Sequence, residues 1–231
     1  MLAMFSWLLP LKESLIHSWK VFIDSSIIIL DVHPSLSKYF PSHVYHTNFI
    51  DSIESTIHFI TLPNWTCNDI EYTTFDFSRF TEIESIEIGN NSFGSVETFK
   101  MDGLNRLMKL KIGNNSFTQQ KTGYGKNLNR SFHILNCESL ESIEIGEYSF
   151  SDFGGDFELN NLPALQSIHI GNIGSDSCNF YRSSFVIRGI WMNLTEWWSL
   201  DLPNLQSITL GDSTFFESLS TIIESILNSE H

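Results

Sequence analysis

Apolar and polar positions recur along much of this chain in a fixed order. Five stretches align without gaps over 19 positions. They are FDFSRFTEIESIEIGNNSF from Phe75, FKMDGLNRLMKLKIGNNSF from Phe99 and FHILNCESLESIEIGEYSF from Phe132, then FELNNLPALQSIHIGNIGS from Phe157 and WWSLDLPNLQSITLGDSTF from Trp197. The shared pattern is aromatic-x-apolar-x-x-apolar-x-x-L/I-x-x-I/L-x-I/L-G-x-x-S/T-F. The fourth copy departs at Gly174 and Ser175, and the fifth has Ser199 at its third position. The glycine column is unbroken: Gly89, Gly113, Gly146, Gly171 and Gly211.

The I/L-x-I/L alternation is the period of a strand with one buried face. Its pairs are Ile86 with Ile88, Leu110 with Ile112, Ile143 with Ile145, Ile168 with Ile170, and Ile208 with Leu210. The glycine that follows predicts the end of the strand and a turn with positive φ. The phenylalanine four residues later is expected to return to the core. One copy cannot bury its apolar face alone, so the copies must stack into a solenoid with one continuous core. Successive glycines lie 24, 33, 25 and 40 residues apart. The extra residues, including SDFGGD and DSCNFYRSSFVIRGIWMNLTE, are expected to form outer loops. In this alignment Trp197 holds a core column.

The ends are less regular. Leu15, Ile16, Trp19, Phe22 and Ile23 have helical spacing, which predicts a short amphipathic helix over 10–23. Segments 26–32 and 56–60 read as strands of degenerate repeats, and 33–48 reads as loop. Leu219, Ile222, Ile223, Ile226 and Leu227 fall at i, i+3, i+4, i+7, i+8, which predicts a C-terminal capping helix over 217–231. A partner-binding role for that helix is the alternative.

These residues carry a family resemblance. L-x-x-I/L-x-I/L looks like the strand core of leucine-rich repeats. Phe132 to Ile145, with Cys137 ahead of the strand, followed by the I-G-x-x-S-F stretch, is similar to the BspA-like subtype. Phe80, Leu104, Leu162 and Leu202 replace the cysteine in the other copies. The resemblance covers 75–216 and implies an α/β solenoid with a parallel inner β-sheet, irregular outer loops and terminal helices. Residues 1–74 would begin this one continuous domain, and 217–231 would close it.

The resemblance also implies a non-catalytic binding module that meets its partner on the inner sheet. The outward columns there are Glu84, Met108, Glu141, Gln166 and Gln206; Ser85, Lys109, Ser142, Ser167 and Ser207; and Glu87, Lys111, Glu144, His169 and Thr209. Lys111 is expected between Glu87 and Glu144, and Lys109 near Glu84 and Glu141. The columns read either as a charge ladder or as a recognition strip. Glu84, Glu87, Lys109, Lys111, Glu141, Glu144, His169 and Thr209 are the candidate contacts. Trp191 and Trp198 join them as anchors, unless they pack the long insertion onto the solenoid.

Composition narrows the partner. The chain has 231 residues, 42% hydrophobic, and a formal net charge of −14. An acidic surface repels phosphate, which argues against nucleic acid. A protein partner is expected, with a glycan as the alternative. Cys67, Cys137 and Cys178 form no C-x-x-C pair and read as free thiols. No cofactor or metal is indicated, and His43 with His46 lacks further ligands. Asp152 and Asp156 could do acid–base work but read equally as a polar turn. Asn91 and Asn115 read as turn residues. Asn64, Asn90, Asn114, Asn129 and Asn193 begin Asn-x-Ser/Thr triplets, which matter only in a secreted protein. No apolar run reaches the length of a spanning helix, and residues 1–10 lack a basic start, which leans the reading toward an intracellular protein. Two other readings compete: a carbohydrate-active parallel β-helix, which needs about three strands per coil, and a partial family member with no independent role.

Overall fold

The computed structural model describes residues 19–24, 27–32, 56–68, 70, 73–120, 123–191, 204–218 and 221–227. Every regular element among them is a strand: β1 Trp19–Asp24, β2 Ile27–Val32, β3 Phe59–Leu62, β4 Thr74–Asp76, β5 Ser85–Ile88, β6 Thr98–Asp102, β7 Lys109–Ile112, β8 Ser131–Leu135, β9 Ser142–Ile145, β10 Asp156–Asn160, β11 Ser167–Ile170, β12 Ser184–Trp191, β13 Ser207–Leu210 and β14 Thr221–Leu227. They form two sheets, which we call A and B. Sheet A has the order β1-β2-β3-β5-β7-β9-β11-β13, and sheet B the order β14-β12-β10-β8-β6-β4. Pairing is parallel throughout except for β1 with β2. From β3 onward, each coil thus contributes one strand to each sheet.

Sheet A is the predicted I/L-x-I/L sheet, with the copies in register: Ile86↔Leu110, Leu110↔Ile143, Ile143↔Ile168 and Ile168↔Ile208. Sheet B comes from the aromatic-x-apolar positions. Phe75, Phe99, Phe132, Phe157 and Phe185 pair in sequence across it. Strands β5 to β11 alternate buried with partly or fully exposed residues, as a half-buried strand must.

Two columns of phenylalanine fill the space between the sheets. Phe75, Phe99, Phe132, Phe157 and Phe185 stack with centroids 4.5–5.4 Å apart. Phe93, Phe117, Phe150, Phe180 and Phe215 form the second column at 4.7–5.4 Å. Rings of one column meet the other edge-on, as at Phe99 and Phe117 (5.2 Å, 83°). That arrangement sets ring edges against ring faces, which suits their quadrupoles. The 4.8 Å spacing of parallel strands and the contact distance of stacked rings nearly coincide, so one repeat length serves both.

The corner after each sheet A strand has a second set of ladders. Ser92 Oγ accepts from Thr66 N–H (3.0 Å), Ser116 Oγ from Ser92 N–H (3.2 Å), and Ser149 Oγ from Ser116 N–H (3.0 Å). Ser116 Oγ donates to Gly89 O and Ser149 Oγ to Gly113 O. Asn90 N–H donates to Asn64 Oδ1, and Asn114 N–H to Asn90 Oδ1. The buried corner backbone is satisfied from coil to coil, as burial requires.

The role of the glycine column differs from the expectation. Among Gly89, Gly113, Gly146, Gly171 and Gly211, only Gly171 has positive φ (+70°). At Gly89, Gly113, Gly146 and Gly211 the preceding coil's corner leaves no room: a Cβ on Gly113 would overlap the Asn90 side chain. The left-handed positions come later, at Asn91 and Phe93, Asn115 and Phe117, and Tyr148 and Phe150. Left-handed backbone costs a non-glycine residue roughly 1–2 kcal/mol, and the stacked rings hold those phenylalanines there.

Both predicted helices are corrected. The described part of the first, residues 19–23, lies in strand β1, paired to β2. The C-terminal segment Thr221–Leu227 is strand β14, parallel to β12 from Phe185↔Thr221 to Trp191↔Leu227. The described residues therefore make an all-β solenoid rather than an α/β one. Strands near 26–32 and 56–60 are present as β2 and β3. The second belongs to a true but disguised coil: Ile60↔Ile86 and Leu62↔Ile88 align, with Pro63 in the glycine column and buried Thr66 and Cys67 in the serine and phenylalanine columns.

The fifth copy is also corrected. Phe185, not Trp197, pairs with Phe157 and stacks on it at 5.4 Å. Strand β12 thus lies inside the segment read as a loop, and Trp197 lies outside the described residues. In the fourth copy the corner carries five extra residues, 172–176, so Asn179 and Phe180 take the places of serine and phenylalanine.

Candidate functional site

The outward face of sheet A is set by the register. Thr61, Glu87, Lys111, Glu144, His169 and Thr209 form one row, and Phe59, Ser85, Lys109, Ser142, Ser167 and Ser207 the next. Glu84, Met108, Glu141, Gln166 and Gln206 adjoin them at the start of the strands, each N–H donating to the preceding coil. The predicted columns therefore lie side by side on one surface.

Lys111 sits between Glu87 and Glu144, and its Nζ lies 3.9 Å from Glu144 Oε2. Lys109 departs from the expectation. Its Nζ lies 3.8 Å from Glu144 Oε1, while Glu84 Oε1 meets His58 Nδ1 at 2.9 Å. The reason is geometric: register puts Lys109 opposite Ser85 and Ser142, so a carboxylate is within reach only on the diagonal. Both lysines converge on one half-exposed glutamate. Pairs this long and this exposed contribute about 0–1 kcal/mol, so they hold the lysines loosely.

Sheet B bears a charged face that the sequence reading did not single out. Glu158 Oε1 accepts from Arg188 Nη1 at 3.0 Å, and Glu158 Oε2 lies 3.3 Å from His133 Nδ1. Asn136 Nδ2 donates to Asp102 Oδ1 (2.9 Å), and Asn161 Nδ2 to Asn136 Oδ1 (3.0 Å). The signal was the x position of aromatic-x-apolar, which marks an outward residue once that segment is taken as a strand.

The remaining candidates separate. Asp152 is buried against Arg130, with Oδ2 3.1 Å from Nη1. Burial raises its carboxyl above the usual range, and the Arg130 charge opposes this. Asp156 stands exposed at the start of β10, so the two carboxylates have unlike surroundings. Trp191 ends β12, while Trp198, His43, His46 and Asn193 lie outside the described residues. Asn91 and Asn115 occupy left-handed turns as expected (both φ 56°). Asn64, Asn90 and Asn114 share the corner ladder, and the hydroxyls of their triplets are buried beneath it.

Cys67, Cys137 and Cys178 are free and buried. Burial pushes their thiols up to about 12, about 11 and about 12 respectively, Asp176 adding to the shift of Cys178. Thiols so protonated are poor nucleophiles at neutral pH. Among the described residues, no group of three or more His, Cys, Asp or Glu could hold a metal ion, and no helix is long and apolar enough to cross a membrane.

No family model, curated protein or solved structure matches the chain.

Proposed function

We propose that this chain is a leucine-rich-repeat solenoid of the BspA-like kind, and that it binds a protein through the outward face of sheet A without catalysing a reaction. The reading rests on one observation above others: Glu87, Lys111, Glu144, His169 and Thr209 stand in one continuous row across five strands. Beside it runs a row of serines broken by Lys109. Such a surface presents side chains on a rigid lattice, so little ordering entropy opposes binding. The lysines and Glu144 are loosely paired with each other and can exchange those partners for groups on an opposing surface. Mixed charge gives register and specificity more than raw affinity. A glycan would use the same row through hydrogen bonds to serine and threonine.

The enzyme alternative draws less support. Two strands per coil fall short of the three that a carbohydrate-active β-helix needs, and Asp152 is committed to Arg130. Affinity capture from the source cell tests the proposal. The native chain is compared with a variant carrying Glu87→Ala, Lys111→Ala, Glu144→Ala and His169→Ala. The expected result is a partner retained by the native chain and lost from the folded variant. Identical captures from two folded proteins would remove sheet A from consideration.

A further inference from the structure

The corners that follow β3, β5 and β7 differ from the rest of the chain. Segments 63–68, 89–96 and 113–120 contain no Asp, Glu, Lys, Arg or His, in a chain with a formal net charge of −14. Asn64 Oδ1 accepts from Asn90 N–H (2.6 Å), Asn90 Oδ1 from Asn114 N–H (2.7 Å), and Asn114 Oδ1 from Glu147 N–H (3.1 Å). That ladder commits each Oδ1 to the next coil. Among the described residues each Nδ2 of Asn64, Asn90 and Asn114 makes no hydrogen bond, which leaves a row of amide donors. A second row runs beside it. Trp65 N–H donates to Asn90 O and Asn91 N–H to Asn114 O, both at 2.9 Å, so Trp65, Asn91 and Asn115 follow one another at the strand spacing of about 4.8 Å.

Trp65 is the anomaly in that second row. All three residues are left-handed, with φ 65° at Trp65 and 56° at each asparagine. Asparagine tolerates that backbone through its short polar side chain, and a bulky residue does not. Phe93 and Phe117 are left-handed too (φ 58° and 55°), but they are fully buried and stacked on each other at 5.0 Å. Trp65 is 66% exposed. Neither backbone preference nor core packing selects it, and a strained residue kept at the surface points to a contact outside the chain.

We propose that Trp65 and the amides of Asn64, Asn90, Asn91 and Asn114 bind a neutral β-1,4-linked glycan laid along the solenoid axis across these three corners. The chemistry of the surface selects the occupant. Corners without charge offer an ionic ligand nothing in return for its lost hydration. An indole face beside amide donors suits a sugar ring: its C–H face packs on the indole, and its hydroxyl oxygens accept from the amides. The spacing selects further. Donors recur at about 4.8 Å, whereas same-face residues of an extended peptide lie about 6.8 Å apart and run out of step with them. An extended β-1,4-linked chain advances by little more than one strand spacing per sugar and meets one amide at each coil. This surface shares no residue with the sheet A row, and either can fail without the other.

The test is calorimetric titration of the full chain, paired with thermal melts. The probes are cellohexaose, maltohexaose, hexagalacturonate and an end-blocked hexapeptide of alternating serine and glycine. Cellohexaose is expected to bind, with an affinity that salt does not change. Maltohexaose, whose linkages curve the chain, and hexagalacturonate, whose carboxylates meet an acidic protein, are expected to bind at least tenfold more weakly. Trp65→Asn gives that position the residue its row carries at 91 and 115. It should weaken cellohexaose about tenfold and leave the melting temperature unchanged or raised. Phe216→Ala, which removes an exposed ring of the last coil (70% exposed), should bind as the native chain does. No binding of cellohexaose, or binding unchanged by Trp65→Asn, would overturn the proposal. A marked fall in the melting temperature of Trp65→Asn would also overturn it, because Trp65 would then serve packing. Equal binding of maltohexaose would overturn the fit to an extended chain, and binding of the peptide in place of cellohexaose would reassign the corners to a protein partner.

Discussion

The coils in the middle of the solenoid and its last described coil use the same columns and differ in what covers them. Ile143 and Ile145 are 0% and 1% exposed, whereas Ile208 and Leu210, in the same columns of β13, are 39% and 37% exposed. Sequence cannot account for the difference, since Ser142-Ile143-Glu144-Ile145 and Ser207-Ile208-Thr209-Leu210 are near copies. In a stacked fold a coil's apolar residues become core only when neighbours lie on both sides. Among the described residues β13 is also the edge of its sheet, so burial and hydrogen bonding end together there.

The strongest way to test that contrast is to remove one ring from each place. Phe150 lies between Phe117 (4.7 Å) and Phe180 (4.8 Å), with Phe99, Phe132 and Phe153 at its edges. Phe150→Ala should cost about 3–5 kcal/mol. Phe215 stacks on Phe180 (5.4 Å) and is only partly buried. Phe215→Ala should cost less than half as much, because part of that ring never left water. Urea denaturation of the two variants reads the difference. Equal costs would mean the last coil is covered as fully as the middle ones.

A smaller effect separates the hydroxyl ladder in the two places. Ser116 Oγ accepts from the buried Ser92 N–H and donates to the partly buried Gly89 O. Ser116→Ala leaves a buried N–H without its acceptor and should cost about 1–3 kcal/mol. Thr214 holds the same column in the last coil, and its Oγ1 makes no hydrogen bond. Thr214→Val, similar in shape, should change stability by no more than about 0.5 kcal/mol. A large loss at Thr214 in thermal melts would show that its hydroxyl has a partner in solution.

These columns also mark how far the sequence could be read. The I/L-x-I/L strands, their register and the outward rows were legible because each copy repeats the same burial requirement. The glycine column was legible as a column but not in cause. Turn and close approach both select glycine, and only the neighbouring Asn64, Asn90 and Asn114 decide between them. The C-terminal strand was misread because Ile222, Ile223, Ile226 and Leu227 satisfy helical spacing over a short run, where periodicity alone does not discriminate. Its β-branched residues Thr221, Ile222 and Ile223 were the better guide. Trp197 drew the fifth copy out of register because an aromatic matched the column, while the true strand lay in a stretch with no aligned glycine.

The smallest effect is kinetic, and it turns the same comparison into a measure of local opening. Cys137 lies between β8 and β9 with coils on both sides, while Cys178 lies in the corner beside the last coil, next to Ser177, whose N–H donates to Asp212 O. Both thiols are held above the ordinary value of 9.0, at about 11 for Cys137 and about 12 for Cys178. At pH 8 both are therefore protonated and buried, and a thiol reagent modifies them only when the surrounding coil opens. If the last coil opens ahead of the middle, Cys178 should label several-fold faster than Cys137 without denaturant, and the two rates should converge as urea approaches the unfolding midpoint. The raised values also fix the sign of the pH dependence. A thiol whose folded pKa exceeds its unfolded one contributes stability that is present below about 9 and is lost as pH rises toward 11–12. Raising the pH through that window should speed labelling at both sites by lowering the cost of opening. Equal rates at pH 8 would show instead that middle and end unfold as one unit, and that the exposure of Ile208 and Leu210 is a feature of the surface without a separate stability.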